Sequence, residues 1–138
     1  MFRSDDGAHW VGIGPGVGTP AGSLAVLRGT ESALFLVTNG SVVRSTDDGH
    51  TWAAAAGAGN LALSGYVQSI AAEPDRNALY AATDRGLYFS TALGTQWIQL
   101  PFHGGAAAIG VNGDQLAAVD ADGHFFLSRN GGATWQAS

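Results

Sequence analysis

An all-β repeat fold made of four-stranded units is predicted by three observations. One short phrase recurs four times and ends in tryptophan at Trp10, Trp52, Trp97 and Trp135. The tryptophans recur at roughly the 40–50-residue period of a propeller blade. Each interval between them holds apolar runs separated by tight-turn signals. Period and strand count together give a β-propeller, with four antiparallel strands per blade and the phrase turning the third strand into the fourth.

The second strand of each unit is read from aligned runs at 33–40, 78–86 and 115–123. Each ends in Asn39-Gly40, Asp84-Arg85-Gly86 or Asp122-Gly123, turn sequences that tolerate positive φ between apolar runs. A third strand follows directly at 41–45, 87–90 and 124–128, and the first strands lie upstream at 23–27, 67–72 and 106–111. The units run 21–56, 65–100 and 105–138, preceded at 1–14 by only the last hairpin of another. Closed propellers usually need about four to eight blades. A partial piece of a longer propeller is therefore the first expectation, and a homo-oligomer completing the ring the second.

The phrase has its own chemistry. An Asp or Asn at the turn accepts backbone N–H bonds, the following Gly supplies positive φ, and Ser or Thr hydroxyls satisfy further turn groups. Ser45, Asp47, Gly49, Thr51 and Trp52 form one copy; Ser128, Asn130, Gly132, Thr134 and Trp135 form another with Asn for Asp. A third keeps Ser90, Gly94 and Trp97 but has Ala92 for the acid and Gln96 for Thr. The first aligns as Asp5, Gly7 and Trp10, with Arg3 at the Ser position. The degenerate third and first copies are expected to make weaker turns. Each tryptophan suits a half-buried place where the outer strand packs between neighbouring blades, and losing Trp52 is expected to cost roughly 3–5 kcal/mol if it is buried.

These phrases resemble the Asp-box (S-x-D-x-G-x-T-W), or BNR repeat, of sialidases, xyloglucanases, sortilin-type receptors and photosystem II assembly factors. The resemblance covers essentially the whole chain and implies that the boxes are structural turns, away from the face that binds ligands. Asp5, Asp47 and Asn130 are then turn caps. A ligand would sit on the opposite face, made by connections between blades and by second-to-third strand turns, where Tyr66, Arg85, Phe102, His103, Asp122 and His124 are the candidates. The competing reading of Tyr66 and Phe102 is packing of loops against strands.

Composition narrows the function. The 138 residues are 46% hydrophobic and 12% charged, too apolar for a disordered chain, and the 21 glycines fit many turns. A net charge of −5 without a basic cluster argues against nucleic acid and an acidic membrane surface. Without cysteine, thiolate metal sites and disulfides are excluded. No run approaches the ~18 apolar residues of a membrane span. The first residues enter a polar turn rather than an apolar signal core. The compartment stays open, the resemblance pointing to an extracytoplasmic one.

Other chemical candidates are weak. The G-x-G-x-x-A match at 16–21 leads to a strand instead of the helix a dinucleotide loop needs. Asp120 and Asp122 lack the ligand series of a calcium loop and read as a hairpin turn. His9, His50, His103 and His124 lack zinc spacing. No metal or cofactor is expected, and no catalytic residue is assigned. Glycoside hydrolysis needs two facing carboxyl groups. Outside the boxes only Glu31, Glu73, Asp75, Asp84, Asp114, Asp120 and Asp122 remain, nearly all at turns. Arg28, Arg76 and Arg85 make no sialidase-like cluster with box-bordering Arg3, Arg44 and Arg129. Two readings follow: a non-catalytic scaffold or binding module with a protein or carbohydrate ligand, or a segment of a carbohydrate-active enzyme. Fold analogy is the warrant for both.

Overall fold

The computed structural model describes residues 2–12, 21–28 and 32–138. The glycine-rich stretch read as a plain loop lies, beyond Gly12, outside the described residues, as does Glu31. Short alternating runs bounded by Gly, Asn and Asp fold here as hairpins, because each turn residue accepts the φ its position demands. Asn39 and Gly40 have φ of 49° and 70°, joining strands β4 (Ala33–Thr38) and β5 (Ser41–Ser45). With β3 (Ala21–Leu27) and β6 (Ala53–Ala54) they form an antiparallel sheet in sequence order.

Two further sheets repeat this arrangement. The second comprises β7 (Val67–Glu73), β8 (Ala78–Thr83), β9 (Gly86–Ser90) and β10 (Ile98–Gln99). The third comprises β11 (Ala106–Asn112), β12 (Gln115–Asp120), β13 (Phe125–Ser128) and β14 (Gln136–Ala137). Register repeats as well: Leu34 faces Ser45, Leu79 faces Ser90 and Leu116 faces Ser128. Ahead of them stands a two-stranded hairpin, β1 (Phe2–Arg3) with β2 (Val11–Gly12). The four-stranded antiparallel units and the box turn between third and fourth strands are as the sequence predicts.

The sheets pack face to face, with β7 lying between β3 and β11. Residues that alternate along each strand therefore point to alternate neighbours, which explains the unbroken burial of β8. Leu79, Ala81 and Tyr88 join Phe35, Val37 and Val42 in one core. Tyr80, Ala82 and Leu87 join Leu116, Ala118 and Phe126 in the other. Polar links reinforce both contacts. Ser23 Oγ accepts from the Ile70 amide at 3.2 Å, and the buried Glu73 accepts from the Gly113 amide at 2.6 Å.

The box turns show how the phrase works. Ser45 Oγ accepts from the Gly49 amide at 2.8 Å, and Asp47 Oδ1 accepts from the Thr51 amide at 2.8 Å. Asn130 accepts from the Thr134 amide at 2.9 Å in the same way. The Thr hydroxyl adapts: Thr51 Oγ1 donates to Asp47, whereas Thr134 Oγ1 accepts from Asn130 Nδ2. Without an acid, the third copy still closes, since Ser90 Oγ accepts from the Ala92 and Gly94 amides and Thr95 Oγ1 donates to the Ala92 carbonyl.

One expectation needs correction. In the first copy Ser4 and Asp6, rather than Arg3 and Asp5, take the Ser and Asp roles. Ser4 Oγ accepts from Gly7 N at 2.7 Å, and Asp6 Oδ1 accepts from the Ala8 and His9 amides at 2.8 Å. This turn is one residue shorter between hydroxyl and glycine, so the groups in reach sit one position later. Asp5 instead pairs with Arg3 at 2.9 Å. Trp52 is half-buried, the kind of position expected for it, and the fully enclosed tryptophan is Trp97, 1% exposed.

Candidate ligand-binding face

Hairpin geometry divides the molecule into two ends. The boxes and the first-to-second strand turns occupy one end; the second-to-third strand turns and the connections between sheets occupy the other. On this loop face the chain must pass from one sheet to the next, and glycine allows the close passage. A Cβ on Gly105 would lie 2.6 Å from the Asp84 carbonyl oxygen. Gly40, with φ of 70°, lies beneath the Tyr66 ring, whose nearest atom would be 2.2 Å from an added Cβ.

Tyr66 is 54% exposed and lies over the first sheet's turn, with its amide donating to Asp84 Oδ1 at 2.8 Å. The adjoining Val67 amide donates to the Gly40 carbonyl, and the Asp84 amide to the Tyr66 carbonyl, so successive turns are stitched together. A hollow of about 230 Å³ opens here between Asn39, Gly40, Tyr66 and Gln68. Arg85 is exposed on the next turn, its amide bonded to Thr83 Oγ1.

Phe102 does not reach the surface with the others. It is 8% exposed and meets Phe126 and Trp135 edge-on, at centroid distances of 5.2 and 5.1 Å. His103 stacks on its outer side at 5.5 Å and remains exposed. Phe102 thus supports His103 from below.

Asp122 and His124 lie on the exposed β12–β13 turn. Asp120, Asp122 and His124 offer ligand atoms within 4.8 Å of one another, the set best placed to hold a metal among the described residues. Asp120 is already engaged, however. Its Oδ1 accepts from the Asp122 and His124 amides at 2.9 and 2.8 Å, and its Oδ2 lies 3.0 Å from His124 Nδ1. These bonds, the His124 amide foremost, hold the Asp120 carboxyl below the usual range. A hydrogen-bonded turn accounts for the cluster.

A general acid of a glycosidase needs a raised pKa and a facing partner carboxylate. On the loop face Asp84 caps the Tyr66 amide and Asp120 caps its own turn, which leaves Asp122 as the free carboxylate among the described residues. Sequence reasoning missed the bridging role of Asp84 because its partner lies eighteen positions away. The Gly65-Tyr66 and Gly104-Gly105 steps were the available signals.

No known family profile matches the chain, and no curated protein does. Solved structures do. One described as YCF48 bound to D1 peptide aligns with a TM-score of 0.71 and 18% identity, over 91% of this chain and 42% of that one. YCF48 from Cyanidioschyzon merolae aligns at 0.62 and 17%, over 86% and 37%. An ancestral GH74 enzyme aligns at 0.63 and 20%, over 92% and 19%. The fold is that of a β-propeller. The chain spans less than half the length of each of these structures.

Proposed function

We propose that this chain is part of a non-catalytic propeller scaffold or binding module. It is made of Asp-box repeats divided at 21–56, 65–100 and 105–138 after the hairpin at 1–14, and its loop face holds a partner. Tyr66, Arg85, His103, Asp122 and His124 are the contact residues, with Phe102 as the platform under His103. One observation carries this reading: of the loop-face carboxylates, Asp84 and Asp120 are committed to backbone amides and Asp120 is shifted away from general-acid duty, so Asp122 stands without the facing partner an enzyme would need.

A peptide is the favoured ligand class. Exposed aromatic, imidazole and guanidinium groups on stitched turns suit a polypeptide, and one similar structure is described as bound to a D1 peptide. The likeness to a GH74 enzyme supports the second reading, a segment of a carbohydrate-active propeller with a sugar ligand. In either case the ring is completed from outside the residues seen here, by a second copy or by the remaining sheets of a longer propeller.

Peptide and glycan arrays probed with the intact chain test the assignment. Binding to peptides that weakens at least tenfold in Tyr66→Ala, Arg85→Ala or His103→Ala is expected. An alanine series that leaves every interaction unchanged removes the site. Release of reducing sugar from a β-glucan, abolished by Asp122→Asn, would establish the enzymatic reading instead.

A further inference from the structure

The junction between the first and second sheets carries side chains that the equivalent junction between the second and third does without. The first strands β7 and β11 break register at the same place, between Val67 and Ser69 and between Ala106 and Ala108. Val67 stands opposite Thr83 as Ala106 does opposite Asp120, so Tyr66 and Gln68 correspond to Gly105 and Ala107. Gly105 packs directly on the Asp84 backbone, and Ala107 adds only a methyl group. Glycine and alanine thus suffice to pass the chain from one sheet to the next. The tyrosine and the glutamine go beyond what that passage requires.

Both of them line the hollow of about 230 Å³ beside the Asn39-Gly40 turn. Val37 and Val67 give it an apolar wall, and none of the described residues that line it is charged. The Tyr66 ring is held in place from two sides. It lies against Gly40, and its backbone is fixed by the Tyr66 amide bond to Asp84 Oδ1 and the Val67 amide bond to the Gly40 carbonyl. Gln68 falls at the register break, where a bulge leaves one residue unpaired across the strands and re-aims its side chain. Asn39 and Gln68 are exposed, and neither carboxamide has a hydrogen bond among the described residues. A carboxamide offers both donors and an acceptor.

We infer that this hollow holds one uncharged, apolar residue of a bound peptide. Its side chain lies against Tyr66, Val37 and Val67, and its backbone amide pairs with the carboxamides of Asn39 and Gln68. The inference rests on the peptide-binding reading of the loop face and deepens it. Size agrees, because pockets that enclose a whole drug-sized ligand run to about 300–1,000 Å³, and this one has room for a single residue of something longer. A charged side chain would lose its water without meeting a counter-charge. A sugar, with hydroxyls around its ring, would set some of them against the valines with nothing to bond. A peptide unit presents one N–H and one C=O, which two carboxamides can match.

Amide-resolved NMR of the intact, isotope-labelled chain tests it, with N-acetyl-leucine N-methylamide as the probe. Saturable shifts are expected at the Gly40, Val67 and Gln68 amides and at the side-chain NH2 groups of Asn39 and Gln68. Asn39→Ala and Gln68→Ala change exposed side chains, and each should weaken the probe about three- to tenfold, the worth of a net hydrogen bond. N-acetyl-aspartate N-methylamide should bind more weakly than the leucine probe. Absence of saturable shifts overturns the inference, as does equal binding of the aspartate probe. Shifts of the same resonances by methyl β-glucoside, with none by the leucine probe, also overturn it and assign the hollow to a sugar. Arg85 and His103 line no part of the hollow, so Arg85→Ala and His103→Ala should leave the leucine probe unaffected. Array peptides that depend on Arg85 and His103, with a hollow that takes no probe, would sink this inference and keep the loop face. A probe seated in the hollow, with no array peptide bound, would keep the hollow and remove the wider face.

Discussion

The box at 45–52 matches its repeat pattern at every position, yet its tryptophan is half-buried; the box at 90–97 has lost its acid, yet Trp97 is the fully buried one of the four tryptophans. The difference lies in what each indole reaches. Trp97 reaches back to a complete four-stranded sheet and donates to both Ala55 and Gly94 carbonyls, at 2.8 and 3.0 Å. Trp52 belongs to the sheet that follows only a two-stranded hairpin, and its indole bonds to Gly49 within its own turn. Local phrase chemistry shapes the turn, while the groups each indole reaches decide how much the tryptophan stabilises: Trp135 follows a complete sheet yet is half-buried and bonds to Gly132 in its own turn, as Trp52 does to Gly49.

Replacement of the two tryptophans is the strongest way to break this comparison. Trp97→Ala should destabilise by roughly 3–5 kcal/mol, the range for emptying a large aromatic site, and it leaves the Ala55 carbonyl without its donor. Trp52→Ala should cost roughly 1–2 kcal/mol, as expected for a partly exposed side chain. Urea denaturation followed by circular dichroism measures both. Equal losses would mean that the phrase, and not its neighbour, sets the energy.

Next in size is Gly105→Ala. The new Cβ would stand 2.6 Å from the Asp84 carbonyl oxygen, a backbone atom that cannot swing aside. A loss of about 1–3 kcal/mol, as for other overpacked sites, should accompany looser Tyr66 and Arg85 turns. Hydrogen exchange at the Tyr66 and Asp84 amides reports the loosening directly. The glycines in open space, such as Gly110, should tolerate alanine without this effect.

Much of this was legible beforehand, because strands, turns and boxes are local. The four-strand unit, the Asn39-Gly40 turn and the Ser-Asp-Thr bonding of the second box follow from residues a few positions apart. What escaped was set by distance or by small shifts in length. Asp84 reaches across to the Tyr66 amide; Phe102 turns inward because Phe126 and Trp135 offer it edges; Ser4 and Asp6 replace Arg3 and Asp5 because that turn is shorter by one residue. Of the loop-face candidates, Tyr66, Arg85, His103, Asp122 and His124 are exposed. Nothing in a single sequence specifies which ligand would bring them together.

Acidity separates the boxes more gently. Hydrogen bonds from Thr51, side chain first, hold Asp47 below the usual carboxylate range; those from His9 do the same for Asp6, and Arg76 does so for Asp114. A carboxyl whose folded pKa is depressed contributes stability above its unfolded value, about 3.9 for Asp, and loses it as pH falls toward the folded value. The thermal midpoint should therefore drop as pH goes below about 4. Asp47→Asn should flatten part of that drop while folding normally at neutral pH, since Asn130 already makes the equivalent bonds. A pH series of melting curves for the two proteins decides it, and identical acid slopes would place the loss elsewhere.

The smallest effect should come from repairing the degenerate box. In the second box the acid accepts the amide four residues on and is bonded by the serine hydroxyl two residues before it. At 92 the same reach leads to Gln96 and Ser90, and Ser90 already holds the turn through Gly94. Ala92→Asp should thus add acceptors to a turn that already has its shape, raising the thermal midpoint by a degree or so at neutral pH, about what a few tenths of a kcal/mol yields in a domain of this size. The gain should vanish on acidification, as the new carboxyl protonates. If Ala92→Asp instead lowers stability, the Thr95 hydroxyl bond to the Ala92 carbonyl is the better cap, and the third box is an alternative turn design in its own right.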